Sequence, residues 1–144
     1  MADEAKLQEL EAYEQIRRLV ADYCHGVDKK DIDRFAAVWL EDASWQAMPE
    51  GEWSKGRDEI VATMRGLWEG VGQTHHWGAN HVIEVDGDTA TGLADADIVM
   101  TDLDGKWFRI AASWSDVYER RGDRWGIARR TAQFHHYLPI ADPQ

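Results

Sequence analysis

The sequence predicts a single α+β domain spanning residues 1–144, with helices first and an antiparallel β-meander after them. Three observations carry that prediction. Apolar residues recur at helical spacing through the first half. The second half holds four long strand-like runs punctuated by tight Gly/Asp turns. No linker, repeat or low-complexity tract divides the chain, and Pro49, Pro139 and Pro143 do not split it into halves. Helices followed by a meander is an α+β order. A twisted sheet of this kind can curl around the helices and leave a pocket between the layers.

The first helix is read from Leu7, Leu10, Ile16, Leu19, Val20 and Tyr23, with charges between them. Gly26 is its expected stop. Asp31 reads as the N-cap of a second helix whose apolar face is Phe35, Val38 and Trp39. A short strand is expected from Ala43 to Met48, then a turn at Pro49–Gly51. A third helix follows Gly56, carries Ile60, Met64, Leu67 and Trp68, and ends at Gly70 and Gly72. The meander strands are expected at Gln73–Val85, Thr89–Thr101, Trp107–Arg120 and Trp125–Tyr137. Their turns are Asp86-Gly87-Asp88, Asp104-Gly105 and Gly122-Asp123.

With 44% hydrophobic and 30% charged residues the composition is that of a globular domain. The formal charge of -11 and the lack of a basic stripe argue against nucleic acid and anionic membranes as partners. No apolar run approaches the roughly 20 residues a bilayer requires. The single cysteine, Cys24, excludes an intramolecular disulfide and fits a reducing, cytoplasmic setting; packing is its expected role. No secretory leader is read at the start. Eight tryptophans are many for this length, and some are expected to line a cavity or a subunit interface.

Two short segments hold the residues with chemistry. Tyr23-Cys24-His25-Gly26-Val27-Asp28-Lys29 sits where the first helix ends, and His75-His76-Trp77-Gly78-Ala79-Asn80 opens the first long strand. A carboxylate beside an imidazole makes a general-base pair, because the carboxylate orients the ring and stabilises the imidazolium. Spacing alone leaves the plainer readings open: Asp28 as a cap or turn residue, His76 as a satisfied strand histidine, Tyr23 as core. Asp95 and Asp97 alternate with Ala94 and Ala96, so they share a face, expected to be the outer one. His135 and His136, with His75 and His81, resemble a metal cluster only superficially. Strand neighbours point to opposite faces, so no metal and no cofactor are expected.

The stretch Gly26–Lys29, with Phe35-Ala36-Ala37-Val38-Trp39 and Glu41-Asp42-Ala43-Ser44-Trp45, resembles the opening of SnoaL-like (nuclear-transport-factor-2-like) proteins. His76–Asn80, Thr89–Gly92, and Val117–Arg120 with Gly122–Trp125 extend the likeness from about Tyr13 to Pro139. The group includes hexachlorocyclohexane dehydrochlorinase, bile-acid 7α-dehydratase and scytalone dehydratase. The resemblance implies a cystatin-like cone, three helices on a strongly curved, mainly antiparallel sheet enclosing a pocket. It implies Asp28 and His76 as the catalytic pair. Tyr23 matches a tyrosine of the bile-acid dehydratase, where the dehydrochlorinase keeps a lysine. Trp45 and Arg130 match pocket residues of the dehydrochlorinase, and Trp39 and Trp77 join them as expected substrate-binding residues. Leu93–Asp97 has no histidine, unlike the middle strand of scytalone dehydratase.

The function these features imply is a cofactor-independent lyase or isomerase, dehydratase-like, acting on a small apolar ring compound. The alternative is a non-catalytic ligand-binding or assembly module of the same fold. A homo-oligomer is expected, a trimer before a dimer, because the outer sheet face would carry Trp107 and Trp114 and need cover.

Overall fold

A computed structural model describes residues 2–143. The element order is α1 (Ala2–Asp28), α2 (Ile32–Ala37), β1 (Trp39–Gln46), β2 (Ser54–Lys55), α3 (Arg57–Glu69), β3 (Thr74–Asp86), β4 (Thr89–Thr101), β5 (Trp107–Arg121) and β6 (Arg124–Ile140). The fold is the expected α+β nuclear-transport-factor-2-like one, with helices packed on a six-stranded, curved, non-closed sheet. The strand order is β2-β1-β6-β5-β4-β3. Among the described residues only the β1–β6 pair is parallel; the others are antiparallel.

Helix α1 buries Ala12, Ile16, Leu19, Val20, Tyr23, Cys24 and Val27, one stripe at helical period. It runs through Gly26, which is not the stop the sequence led us to expect. A Cβ there would lie 2.7 Å from the Phe35 nitrogen, so this glycine permits α1 and α2 to touch. The helix ends two residues later, at Asp28. Lys30 takes φ 52°, the Asp31 N–H bonds to Gly26 O and the Lys30 N–H to Val27 O. That paired closure is a Schellman ending with lysine in the place glycine usually takes. Asp31 caps α2, accepting from the Arg34 N–H, as expected. Trp39 belongs to β1 rather than to α2, because Val38 already closes that helix. Strand β1 therefore starts earlier than expected and ends at Gln46.

The interior is aromatic. Phe35, Trp39, Trp45, Tyr23 and Trp114 are each at most 5% exposed, and ring centroids within the group lie 5.2–6.3 Å apart. Small residues on the facing strands, Ala94, Ala96 and Ala112, make room for them. Trp114 was expected on the outer face. It instead shares the inward parity of Ile110 and Ala112 and packs on Tyr23. Asp95 and Asp97 do face outward. Asp95 accepts from Asn80 Nδ2 and Ser113 Oγ, and Asp97 is held by Arg109. No described helix is long and apolar enough to cross a membrane.

Candidate active site

Asp28 lies in the last turn of α1, where the helix dipole opposes a negative charge. Three donors offset that. Thr74 Oγ1 donates to Oδ1 at 2.9 Å, and the His76 backbone N–H donates to Oδ2 at 2.7 Å. His76 Nδ1 approaches Oδ1 at 2.5 Å. The helix end is fixed from the other side by Trp68 of α3, whose Nε1–H donates to Val27 O. The first residues of β3 and the end of α1 therefore lock one another in register. Burial pushes the Asp28 carboxyl up, but the His76 ring, its backbone N–H and Thr74 outweigh it and hold the group below the usual carboxylate range. The two side chains are 9% and 11% exposed, shielded but reachable.

With Nδ1 on the carboxylate, the His76 ring is oriented as in a general-base pair, leaving Nε2 for another partner. Trp114 stacks on this ring, centroids 6.2 Å apart and planes at 24°. Tyr23 meets it edge-on at 6.3 Å. Burial raises the Tyr23 phenol well above its ordinary pKa, with the charge of Arg130 opposing, so it keeps its proton.

Asp28 and His76 line a cleft of about 420 Å³ between α1 and the edge strand β3. Val20, Cys24, Gly78 and His81 line it too, with Arg17, His25 and Lys29 exposed on its α1 side. Burial pushes the Cys24 thiol up to about 11, against the charge of Arg130 and with that of Asp28, so it is a neutral wall group. Of the residues expected to bind substrate, Trp77 lines this cleft and is 66% exposed. Trp39, Trp45 and Arg130 lie behind it in the packed interior. Arg130 is fully buried, paired through Nε and Nη2 with Asp116, and its guanidinium sits 4.4 Å from the ring centroids of both Tyr23 and Trp114. Its Nη1 and the Trp39 Nε1 are buried without a hydrogen-bond partner among the described residues.

Asp116 and Tyr118 are given no site role by the sequence reading, and His81 enters it only among the superficial metal candidates. Tyr118 donates to Asp116 at 2.6 Å, and His81 Nε2 lies 3.1 Å from the Tyr118 hydroxyl. The available signal was parity. Asp116 and Tyr118 continue the inward alternation of Ile110, Ala112 and Trp114. No group of three or more His, Cys, Asp or Glu that could hold a metal occurs among the described residues.

A profile of the SnoaL-like domain family matches residues 8–131. The γ-hexachlorocyclohexane dehydrochlorinase of Sphingobium indicum is 28% identical over 137 residues, covering 94% of this chain and 88% of that enzyme. Among solved structures, a type 2 hexachlorocyclohexane dehydrochlorinase superposes with a TM-score of 0.90 at 28% identity, covering 96% of this chain and 95% of that one. The type 3 dehydrochlorinase of Novosphingobium barchaimii gives 0.88 at 27%, covering 96% of each.

Proposed function

This chain belongs to the SnoaL-like domain family, and from that premise we propose that it is a lyase that eliminates a small group from a ring compound, with His76 as base. The observation that carries the reading is the Asp28–His76 pair, 2.5 Å apart at the wall of a cleft. The dehydrochlorinase relatives supply the substrate class, small rings with a leaving group.

In the proposed step the His76 Nε2 lone pair takes a proton from a ring carbon. The C–H electron pair becomes the new double bond, and the neighbouring carbon loses its substituent with the bonding pair. His76 becomes an imidazolium, which the Asp28 carboxylate stabilises. The proton then passes to the departing hydroxide in a dehydration, or to water when a halide leaves. In an isomerisation no substituent leaves: the C–H electron pair is taken up by an adjacent unsaturated group, and the imidazolium returns the proton to another carbon, so that the double bond moves. Only a base and a place for the leaving group are required, so no step draws on a cofactor. Tyr23, a neutral phenol beside the imidazole, is the donor proposed for developing negative charge.

The test is carbon–hydrogen exchange. The protein is incubated in deuterated water with γ-hexachlorocyclohexane and with hydroxylated ring compounds, and ring deuteration and product formation are followed by mass spectrometry. Deuteration or elimination that His76→Ala abolishes is expected. Exchange that survives His76→Ala removes the base from the reading.

A further inference from the structure

Strand β3 presents two imidazoles to one cleft, although His76 and His81 are five residues apart. On a regular strand such residues face opposite sides. Here the β3–β4 register shifts between Ala79 and Val82, and Asn80 takes φ 51°. Thr74 and His76 are the more buried residues before this bulge; His81, Ile83 and Val85 are the more buried ones after it. The bulge turns His81 to the side His76 already faces, the re-aiming that bulges beside active sites supply.

The hydrogen-bond chain behind His81 fixes its tautomer. Asp116 accepts from Arg130 and from the Tyr118 hydroxyl, 2.6 Å away. Burial raises the Tyr118 pKa well above its ordinary value, and the charge of Asp116 adds to this, so Tyr118 stays a phenol. Its one hydrogen is committed to Asp116. The Tyr118 oxygen can then only accept, so His81 Nε2 carries a hydrogen and donates across the 3.1 Å contact. Burial lowers the His81 pKa, opposed by Asp116 and aided by Arg130 and Arg17, so the ring is neutral at neutral pH. Its Nδ1 is a lone-pair acceptor. The contact depends on Gly92, where a Cβ would lie 2.7 Å from Tyr118 Cε2 and 3.0 Å from His81 Nε2.

We propose that His81 Nδ1 accepts a hydrogen bond from a hydroxyl of the ring compound held in this cleft, so that hydroxylated rings are preferred over fully apolar ones. This rests on the reading of the cleft as the substrate site. An acceptor built into a wall discriminates by rejection, since a ligand without a donor leaves it unpaired.

The experiment compares 2-naphthol with 2-methoxynaphthalene, the same ring without the donor, by titration calorimetry. Wild-type protein should bind 2-naphthol about 3- to 10-fold more tightly, the worth of one net hydrogen bond. His81→Phe should abolish that ratio, and His81→Gln, which keeps an acceptor, should retain part of it. Tyr118→Phe leaves His81 in place but removes the acceptor that fixes its tautomer. The ratio should shrink there while 2-methoxynaphthalene binds as before, which covers the case in which His81→Phe does not fold. Equal or absent binding of the two compounds to wild type overturns the proposal, as does a ratio unchanged in His81→Phe or Tyr118→Phe. The outcomes separate from those for the base. Elimination that needs His76 without hydroxyl preference removes only this anchor; a His81-dependent preference in a protein that turns nothing over removes only the elimination.

Discussion

Two of the carboxylate–nitrogen pairs in this molecule, Asp116–Arg130 and Asp28–His76, are shielded from solvent, and they differ in nearly everything else. Asp116 and Arg130 are both fully buried at the side chain, joined by Nε at 2.8 Å and Nη2 at 2.7 Å, and walled by Tyr23, Trp114 and Tyr118. Burial acts against the Arg130 charge, but Asp116 outweighs it and leaves the guanidinium more firmly protonated than usual. The Arg130 guanidinium keeps its charge at any working pH. Asp28 and His76 sit instead at a cleft wall, and the partner is an imidazole, a group that can both take and return a proton. A fixed pair shapes the interior, and a switchable one can move a proton. The first supports the second through two rings, since Arg130 lies over Tyr23 and Trp114 and both touch His76.

The largest expected effect breaks the fixed pair. Arg130→Met leaves Asp116 in the core with only Tyr118 as donor. Losing one partner of a buried ion pair costs about 3–5 kcal/mol. Urea unfolding should show that loss. A change below about 1 kcal/mol would mean that the interior relaxes far more than its packing implies.

Breaking the switchable pair should do the reverse. His76→Ala and Asp28→Asn should stay folded, because Asp28 keeps Thr74 and the His76 backbone N–H as partners in the first variant. Turnover should fall about 10²- to 10⁴-fold in both, the worth of general-base assistance. Affinity for the same compound should change much less. Near-normal turnover in His76→Ala would leave ligand binding without chemistry as the better account of the cleft.

The Asp28 pair also has a signature in acid. The folded pKa of Asp28 lies below its ordinary 3.8, so its stabilising contribution is complete above that value. It is lost as pH falls from there through the lower folded value. Unfolding free energies of wild type and Asp28→Asn, measured from neutral pH to about pH 2.5, should differ by a constant amount down to about pH 4 and converge below it. A gap that widens in acid would contradict the donors assigned to Asp28.

The elements with strong local chemistry were legible in the sequence. The Asp31 cap, the helix start after Gly56, and β4 from Thr89 to Thr101 fall where caps and Gly/Asp turns place them. Gly26 misled because a glycine at a helix crossing and one at a helix stop look alike in sequence. Strand β2 has two residues, too few to show any period. For the site, spacing left Asp28 and His76 open, and only the family resemblance brought them together. What no pattern showed were the bulges after Ala79, Ala111 and Val117. The one after Ala79 adds a residue to β3 and inverts its side-chain parity downstream, so the inward aim of His81 could not be read from alternation; those opposite Ala111 and Val117 add their residue to β6 and leave β5 in phase.

The smallest effect concerns how closely α1 lies on β3. Gly78, two residues beyond His76, faces α1, where a Cβ would stand 3.2 Å from Val20 Cγ1 and 3.7 Å from both Cys24 Sγ and Trp114 Cζ3. Gly78→Ala restricts the unfolded chain, a gain of about 0.4–1 kcal/mol where the backbone is compatible. Against this, Val20 must yield by a few tenths of an ångström, and it belongs to the rigid buried stripe of α1. The two terms nearly offset, so stability should move by less than about 1 kcal/mol. Geometry should not be so forgiving. The same displacement separates the helix that carries Asp28 from the strand that carries His76, and their contacts of 2.5 and 2.7 Å have no slack. Turnover should fall several-fold in a protein whose unfolding midpoint is almost unchanged. The Asp116–Arg130 pair, spanning only β5 and β6, should not register the substitution at all. Equal losses of stability and turnover would instead show that the helix–strand seam holds up the whole domain rather than the dyad alone.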